Sequence, residues 1–406
     1  MRKIRTILLV TALLCIANQK QALTTDESSI ACFNNNQTAQ VVQMVANTKP
    51  IDLNLRAKSA YLMDYGTSSV VFSENELARL PIASMCKIMT LILSFEAIEK
   101  GTLSLDDTLL VSERAASMGG SQVFLEANGQ YKVRDLIKSI VVCSANDSCV
   151  ALAERIAGSE ELFVQKMNEK ANELGANNTL FANCTGLPKE PQYSCAKDVA
   201  IMLKKLLSYD EYYQFGKVWM DKFEHPEGRY TEITNTNKLI RSYDGCDGGK
   251  TGFTNEAGFC LAATAKRNDM RIIAVVIGEE NSKNRFDDVR TMFDYAFANY
   301  QNIPVIEAST PIEERISVER GKVDTIHVYP ARSAYVFSER NEKAEIVTEM
   351  HFEHLTAPIC KDEKVGEVVI FKNGIEIDRV PLLSANTVKK ADFLDWIKKI
   401  ANEWNG

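Results

Sequence analysis

The feature that most constrains this chain is the segment from Ala83 to Lys100, which stays apolar almost throughout before Gly101 ends it. Met85, Ile88, Met89, Leu91, Ile92, Leu93, Phe95 and Ile98 fall on every side of a 3.6-residue helix. A helix that is apolar all round cannot lie on a surface, so other elements must enclose it. Lys87 is the one charge before Glu96 in this segment. A buried ammonium either reaches water along its stem or loses basicity.

The rest of the chain supplies the enclosure. Ala60–Asp64 and Val70–Phe72 flank Tyr65-Gly-Thr-Ser68 and read as a hairpin. Helical periodicity follows over Val133–Ile140, Cys149–Ile156, Glu160–Leu174 and Asp198–Leu207. From Gly249 the period changes, giving strands at Phe259–Ala265 and Met270–Ile277 before a helix at Phe286–Tyr300. Strands at both ends with helices between them predict one discontinuous antiparallel sheet covered by helices, an α+β fold. Pro304 and Pro311 mark a boundary. Short β-rich runs lie beyond it at Val323–Tyr329, Ala334–Phe337, Ala344–Phe352, Gly366–Lys372 and Ile375–Pro381, with Asn373-Gly374 as a hairpin turn. The predicted domains are 45–302, a small all-β domain over 305–383, and an amphipathic helix over 386–406. In that last segment Val388, Phe393, Trp396, Ile397, Ile400 and Trp404 recur at helical spacing, with Lys389, Lys398 and Lys399 elsewhere. This pattern suits a helix lying on a membrane surface; the alternative is one packed on the β domain.

Arg2, Lys3 and Arg5 precede an apolar run from Ile7 to Ala17 that is too short to span a bilayer. Residues 1–22 therefore read as a signal peptide with Ala22 near the cut, and the protein as exported; an uncleaved anchor is the alternative. Cys15 follows Leu13-Leu14, which does not suit lipidation. The net charge of −7 and the lack of any nucleic-acid module argue against a nucleic-acid partner. Of ten cysteines, removal of Cys15 leaves an odd number, so at least one thiol has no partner in the chain. Cys184 with Cys195 and Cys246 with Cys260 are candidate bridges that sequence leaves open. No paired C-x-x-C is present and histidines number only four, so no zinc site is expected, and no cofactor either.

Three short motifs carry the chemistry: Ser84-Met-Cys-Lys87, Ser144-Ala-Asn146 and Lys250-Thr-Gly252. Alone, the first two mean little. Ser194-Cys-Ala-Lys197 repeats the first, and Ser73-Glu-Asn75 and Ser384-Ala-Asn386 repeat the second. Context separates them. Ser84 heads the buried helix, where exposed N–H groups favour a developing oxyanion. Lys87 lies one turn on, and a nearly neutral amine beside a hydroxyl can serve as a general base. The bland alternative is a helix-capping Ser beside an outward-reaching Lys. Ser144 and Asn146 precede a helix and could relay a proton and hold an amide, or merely cap it with Asp147. Lys250 and Thr251 offer a cation and a hydroxyl to a carboxylate at the start of a strand whose edge can pair with an extended peptide. Gly252 removes a side chain where backbone must come close.

Taken together, these stretches resemble the low-molecular-mass penicillin-binding proteins, the serine D-Ala-D-Ala carboxypeptidases. Pro81-Ile-Ala-Ser-Met-Cys-Lys-Ile-Met-Thr90, Gly120-Ser-Gln-Val123, Ser144-Ala-Asn-Asp147 with Val150-Ala-Leu-Ala-Glu154, Asn235-Thr-Asn-Lys-Leu239 and Lys250-Thr-Gly-Phe-Thr254 carry the likeness. The resemblance implies a penicillin-binding/β-lactamase-like transpeptidase domain followed by the β domain and the C-terminal helix. It implies that Ser84 is acylated, that Lys87 is its base, and that Ser144 and Asn146 complete proton transfer and substrate holding. Lys250, Thr251 and Gly252 then bind the substrate's carboxylate end, and the backbone N–H groups of Ser84 and Phe253 form an oxyanion hole. Arg285 matches a basic family position. The implied partners are peptidoglycan stem peptides ending in D-Ala-D-Ala, β-lactams as inhibitors, and a membrane surface. Cys86 replaces the usual Thr or Leu, and Gly249 a bulkier apolar residue. Two other readings share the fold: a β-lactamase, although the chain shows no E-x-x-L-N loop, and a non-catalytic scaffold.

Overall fold

The computed structural model describes residues 51–404 apart from 314. The signal-peptide reading over residues 1–22 lies outside them. The expected hairpin forms as β1 (Ser59–Asp64) and β2 (Val70–Glu74). The apolar segment becomes a 3-10 turn at Ala83–Cys86 running into α1 (Lys87–Glu99). Four further helices follow, α2 (Val133–Cys143), α3 (Asn146–Ala157), α4 (Glu160–Glu173) and α5 (Ala196–Leu206). Strands β3 (Cys246–Thr254), β4 (Gly258–Arg267) and β5 (Met270–Glu279) then lead to α6 (Ser282–Asn299).

The sheet is antiparallel in the order β2–β1–β5–β4–β3, so chain ends far apart in sequence share it and β3 is an edge. Its two faces alternate as strand geometry requires. Ala262 and Val275 join Met85, Met89, Ile92 and the α2, α3 and α5 residues in one core. Ala263 and Val276 join Phe286, Val289 and Phe293 of α6 in the other. Helix α1 is enclosed on all sides, with Met85, Ile88, Met89 and Ile92 wholly buried. Burial of each such side chain contributes roughly 1.5–3 kcal/mol, which fixes the helix that carries the site.

The C-terminal part is all β. Strand β6 (Tyr300–Ile306) pairs with β8 (Ala334–Glu339), and β7 (Val328–Pro330), β9 (Ile346–Phe352), β10 (Lys364–Lys372) and β11 (Ile375–Ser384) form a sheet in the order β7–β11–β10–β9. Asn373 and Gly374, both at positive φ, make the expected β10–β11 turn. Helix α7 (Phe393–Trp404) starts later than its apolar spacing suggested. Val388 is not part of it: it is 1% exposed and pairs with Ile359 inside the β domain. Among the described residues no helix is long and apolar enough to cross a membrane. The described cysteines, Cys184, Cys195, Cys246 and Cys260 included, are free thiols.

Candidate active site

Ser84 sits in the 3-10 turn just ahead of α1 and is half-buried, while Lys87 is completely buried one turn later. The Lys87 Nζ donates to Ser84 Oγ at 2.9 Å and to the Thr185 carbonyl at 2.5 Å. Both acceptors are neutral. Burial holds the Lys87 ammonium below its ordinary value. The neighbouring thiols of Cys86, Cys149 and Cys184 offer no counter-charge, because burial raises each of them and keeps it protonated. An amine so placed can reverse the hydrogen bond and accept the Ser84 proton.

The turn that presents Ser84 is held from outside by a loop that belongs to none of the three motifs. Asn183 Oδ1 accepts from the Thr185 and Gly186 N–H groups at 3.1 and 2.7 Å. Cys86 Sγ donates to the Asn183 carbonyl and Thr90 Oγ1 to that of Cys184. Gly186 lies at φ +81°, and a Cβ there would stand 2.0 Å from the Ala83 oxygen and 3.0 Å from the Ser84 nitrogen. The Ala83 backbone is itself at φ +46°, a conformation rare for a residue with a side chain. Its cost is met by the packing of loop 183–186 against it. Gly in a Thr-Gly pair was the only sequence signal for this loop.

Ser144 is the C-cap of α2, at φ +68°, not a cap of α3. Its hydroxyl is buried and, among the described residues, has no hydrogen-bond partner, which sets aside the capping alternative. Asn146 opens α3 and is 3% exposed. Its Nδ2 donates to the Gly119 carbonyl at 2.7 Å, and its Oδ1 is buried without a partner. Two buried oxygens without partners among the described residues are costly unless something else comes to bind them. Asp147, expected as a cap, accepts from the Val123 and Leu125 N–H groups at 3.0 and 3.1 Å and pins the loop containing Gly120-Ser-Gln-Val123.

Edge strand β3 closes the other side. Lys250 is 2% exposed, and its only hydrogen bond among the described residues is to the Thr251 carbonyl at 3.1 Å. Burial, reinforced by repulsion from Lys87, pulls its ammonium down to about 7. Thr251 Oγ1 donates to Thr236 Oγ1 at 2.8 Å. A Cβ on Gly252 would stand 2.6 Å from the Ile82 oxygen, so only glycine lets β3 approach the turn that carries Ser84. Phe253 is half exposed and stacks on Phe259 at 4.3 Å. Arg285 does not face the cleft as a free cation. Its Nη1 donates to the Gly252 and Cys260 carbonyls at 3.0 and 3.4 Å, and burial lowers it to about 10. The second S-x-x-K copy lies elsewhere: Ser194 is fully buried and shares a 2.8 Å hydrogen bond with Thr179. Among the described residues no group of His, Cys, Asp and Glu is placed to hold a metal.

Known proteins resemble this chain in sequence and fold. The sequence profile of the D-alanyl-D-alanine carboxypeptidase family matches residues 43–281, and that of the penicillin-binding protein 5 C-terminal domain matches residues 300–390. The chain is 40% identical to D-alanyl-D-alanine carboxypeptidase DacF of Bacillus subtilis over 87% of its own length and 91% of that protein. It is similar to penicillin binding protein 5 from Haemophilus influenzae, at 28% identity and a TM-score of 0.67, covering 84% of this chain and 100% of that one. Penicillin-binding protein D2 from Listeria monocytogenes, solved in an ampicillin-bound form, matches at 29% identity and a TM-score of 0.55, over 61% of this chain and 100% of that one.

Proposed function

Because this chain belongs to the D-alanyl-D-alanine carboxypeptidase family, we propose that it removes the last D-alanine from peptidoglycan stem peptides ending in D-Ala-D-Ala through an acyl-enzyme on Ser84. The observation that carries the proposal is the 2.9 Å hydrogen bond between a wholly buried Lys87 and the Ser84 hydroxyl. Ser84 Oγ attacks the carbonyl of the penultimate D-alanine and its proton passes to the Lys87 amine. The N–H groups of Ser84 and Phe253 stabilise the oxyanion. The unpartnered Ser144 hydroxyl relays a proton to the departing nitrogen, the C–N bond breaks, and D-alanine leaves. Water then attacks the ester carbon and gives one proton to Lys87; the bond from that carbon to Ser84 Oγ breaks, Lys87 returns the proton to Oγ, and the shortened peptide leaves with a free carboxyl group.

The remaining groups hold the substrate. The Asn146 Oδ1, buried without a partner, accepts from the substrate amide N–H, and Asn146 Nδ2 stays on Gly119. Lys250 and Thr251 take the terminal carboxylate, and Gly252 lets the edge strand come close enough. Arg285 is a positioning residue that braces β3 from behind through the Gly252 carbonyl. A β-lactam would acylate Ser84 in the same way, but its leaving nitrogen stays tethered by the opened ring. Likeness to a protein solved with ampicillin supports that reading. Incubation with a D-Ala-D-Ala-ended peptide and a labelled penicillin tests the proposal. D-Alanine release and stable labelling, both lost in Ser84→Ala, are expected; rapid penicillin turnover would point to a β-lactamase, and no labelling to a scaffold.

The enzyme would act outside the cytoplasm, where peptidoglycan lies, and we propose that α7 rests on the membrane. Phe393, Leu394, Ile397 and Ile400 expose 77%, 66%, 47% and 58% of their surfaces, an apolar face with no cover. Lys322 pairs with Asp395 at 2.9 Å and ties the helix to the β domain. Deleting residues 393–406 should abolish sedimentation with anionic vesicles; unchanged sedimentation would contradict this.

A further inference from the structure

The strand that carries Lys250 enters the site through an unusual piece of backbone. Register slips between Cys246 and Gly248, leaving Asp247 as a bulge. Two residues later Gly249 adopts φ +128°, and a Cβ there would stand 2.3 Å from the Ala262 oxygen. No other residue type fits that conformation. The Gly249 N–H donates to the hydroxyl of Tyr212 at 2.9 Å.

Tyr212 is wholly buried and its ring is gripped on two sides by glycine. A Cβ on Gly248 would lie 2.9 Å from the ring and from its hydroxyl, and one on Gly216 would lie 3.2 Å from the ring and 2.6 Å from the Asp247 oxygen. The same ring meets Phe95 of α1 edge-on at 6.4 Å. Tyr212 therefore touches both elements that carry the site's lysines, α1 with Lys87 and β3 with Lys250. Its neighbour Tyr213 stacks on Arg271 at 4.9 Å, and Arg271 holds the bulged Asp247 by two bonds of 2.7 and 2.8 Å. Among the described residues the Lys250 ammonium has one hydrogen bond, to the adjacent Thr251 carbonyl. That bond ties the ammonium to its own strand and, among the described residues, to no other element, so its place depends on the backbone of β3.

We propose that Tyr212 is a positioning residue: by holding the Gly249 backbone in a glycine-only conformation, its hydroxyl sets where Lys250 meets the substrate carboxylate. The proposal rests on the functional reading above. At 249 a side chain is excluded by the Ala262 and Ala263 backbone of β4, and at 248 by the Tyr212 ring, so both glycines ahead of Lys250 are required by what packs against them.

Tyr212→Phe removes the hydroxyl and keeps the ring. The control is Tyr209→Phe, since Tyr209 also packs on Phe95, at 5.6 Å, but its buried hydroxyl bonds to nothing. The readout is KM against kcat for release of D-alanine from a D-Ala-D-Ala peptide, with penicillin acylation measured in parallel. Tyr212→Phe is expected to raise KM about tenfold, as removal of one charge-assisted hydrogen bond to the carboxylate would, and to change kcat less. Tyr209→Phe should stay within about twofold of the parent on both, as a substitution that breaks no bond. If Tyr212→Phe does not accumulate as folded protein, 3,5-difluorotyrosine at 212 weakens the acceptor and must raise KM in the same direction. A parent enzyme that releases D-alanine while Tyr212→Phe keeps the parent KM, or loses only kcat, overturns the positioning role alone. A parent that neither releases D-alanine nor binds penicillin overturns the functional reading with it.

Discussion

The Nζ of Lys87 lies 2.9 Å from the Oγ of Ser84, inside a helix turn with no water-facing surface at the amine. The proximity follows from helical spacing, but the chemistry follows from burial. An exposed Lys at this spacing would remain an ammonium and could only donate. Replacement by Met keeps the volume and removes the base. Lys87→Met should lower penicillin acylation by about a thousandfold. Since holding an amine below its ordinary basicity by burial costs stability, the substitution should also raise the melting temperature by a few degrees, from about 1–2 kcal/mol. Acylation within tenfold of the parent would contradict the assignment of the base.

Lys250 sets a pH limit. Its ammonium is drawn down from 10.5 to about 7 by burial and then by Lys87. The charged form holds the substrate carboxylate, so kcat/KM should fall as pH rises through about 7 in the free enzyme. Bound carboxylate restores the proton, so kcat should not share that limb. Because the folded value lies below the unfolded one, the fold gains stability as pH rises from about 7 toward 10.5. Lys250→Arg stays charged throughout and should carry the descending limb to higher pH. A limb that does not move with this substitution belongs to another group.

Gly186 tests the outer support of the nucleophile. An added methyl would meet the Ala83 carbonyl at 2.0 Å on a backbone already at φ +81°. Gly186→Ala should cost about 3 kcal/mol and reduce acylation far more than the loss of folded protein explains. Thermal denaturation and acylation rate, measured on the same preparation, separate the two effects.

Glu279 lies 1% exposed at the end of β5, beside the Asp288 carboxylate. Burial first, and then the Asp288 carboxylate, hold it well above the usual carboxylate range. A folded value above the unfolded one means that stability is lost as pH rises from the ordinary range of Glu toward the folded value. Glu279→Gln should therefore match the parent in acid and exceed it in melting temperature at pH 8 and above. Parallel stability curves would contradict this.

The apolar run of α1 foretold its burial because a helix without a polar face has one available environment. The order of the three motifs separated Ser84 from Ser194, and the fold accounts for the difference, since only Ser84 has a lysine nitrogen on its hydroxyl. What sequence could not disclose is whatever depends on backbone shape or on distant segments meeting. Asn183 and Gly186 support Ser84 from about a hundred residues away, through the Asn183 side-chain and backbone oxygens and the missing side chain of Gly186, and nothing in the local pattern ties that loop to the turn. Taken alone, Ser144 read more readily as a helix cap than as a relay, and its hydroxyl, which caps nothing among the described residues, argues against the cap. Gly249 stood out as a departure from the bulkier family residue ahead of Lys250; its φ of +128° and the Tyr212 bond make it a fitted part. Val388 followed the helical spacing of its neighbours, but its pairing with Ile359 places it in the β domain, because spacing alone does not mark where a helix starts.

The most direct test of the account is to locate the acyl group. The protein is incubated with benzylpenicillin, digested, and mapped by tandem mass spectrometry, alongside Ser84→Ala. The account predicts one adduct per chain, on Ser84, absent from the Ser84→Ala protein, with D-alanine release from a D-Ala-D-Ala peptide lost in the same variant. An adduct on Ser194 or Ser144, or D-alanine release that survives Ser84→Ala, would contradict it.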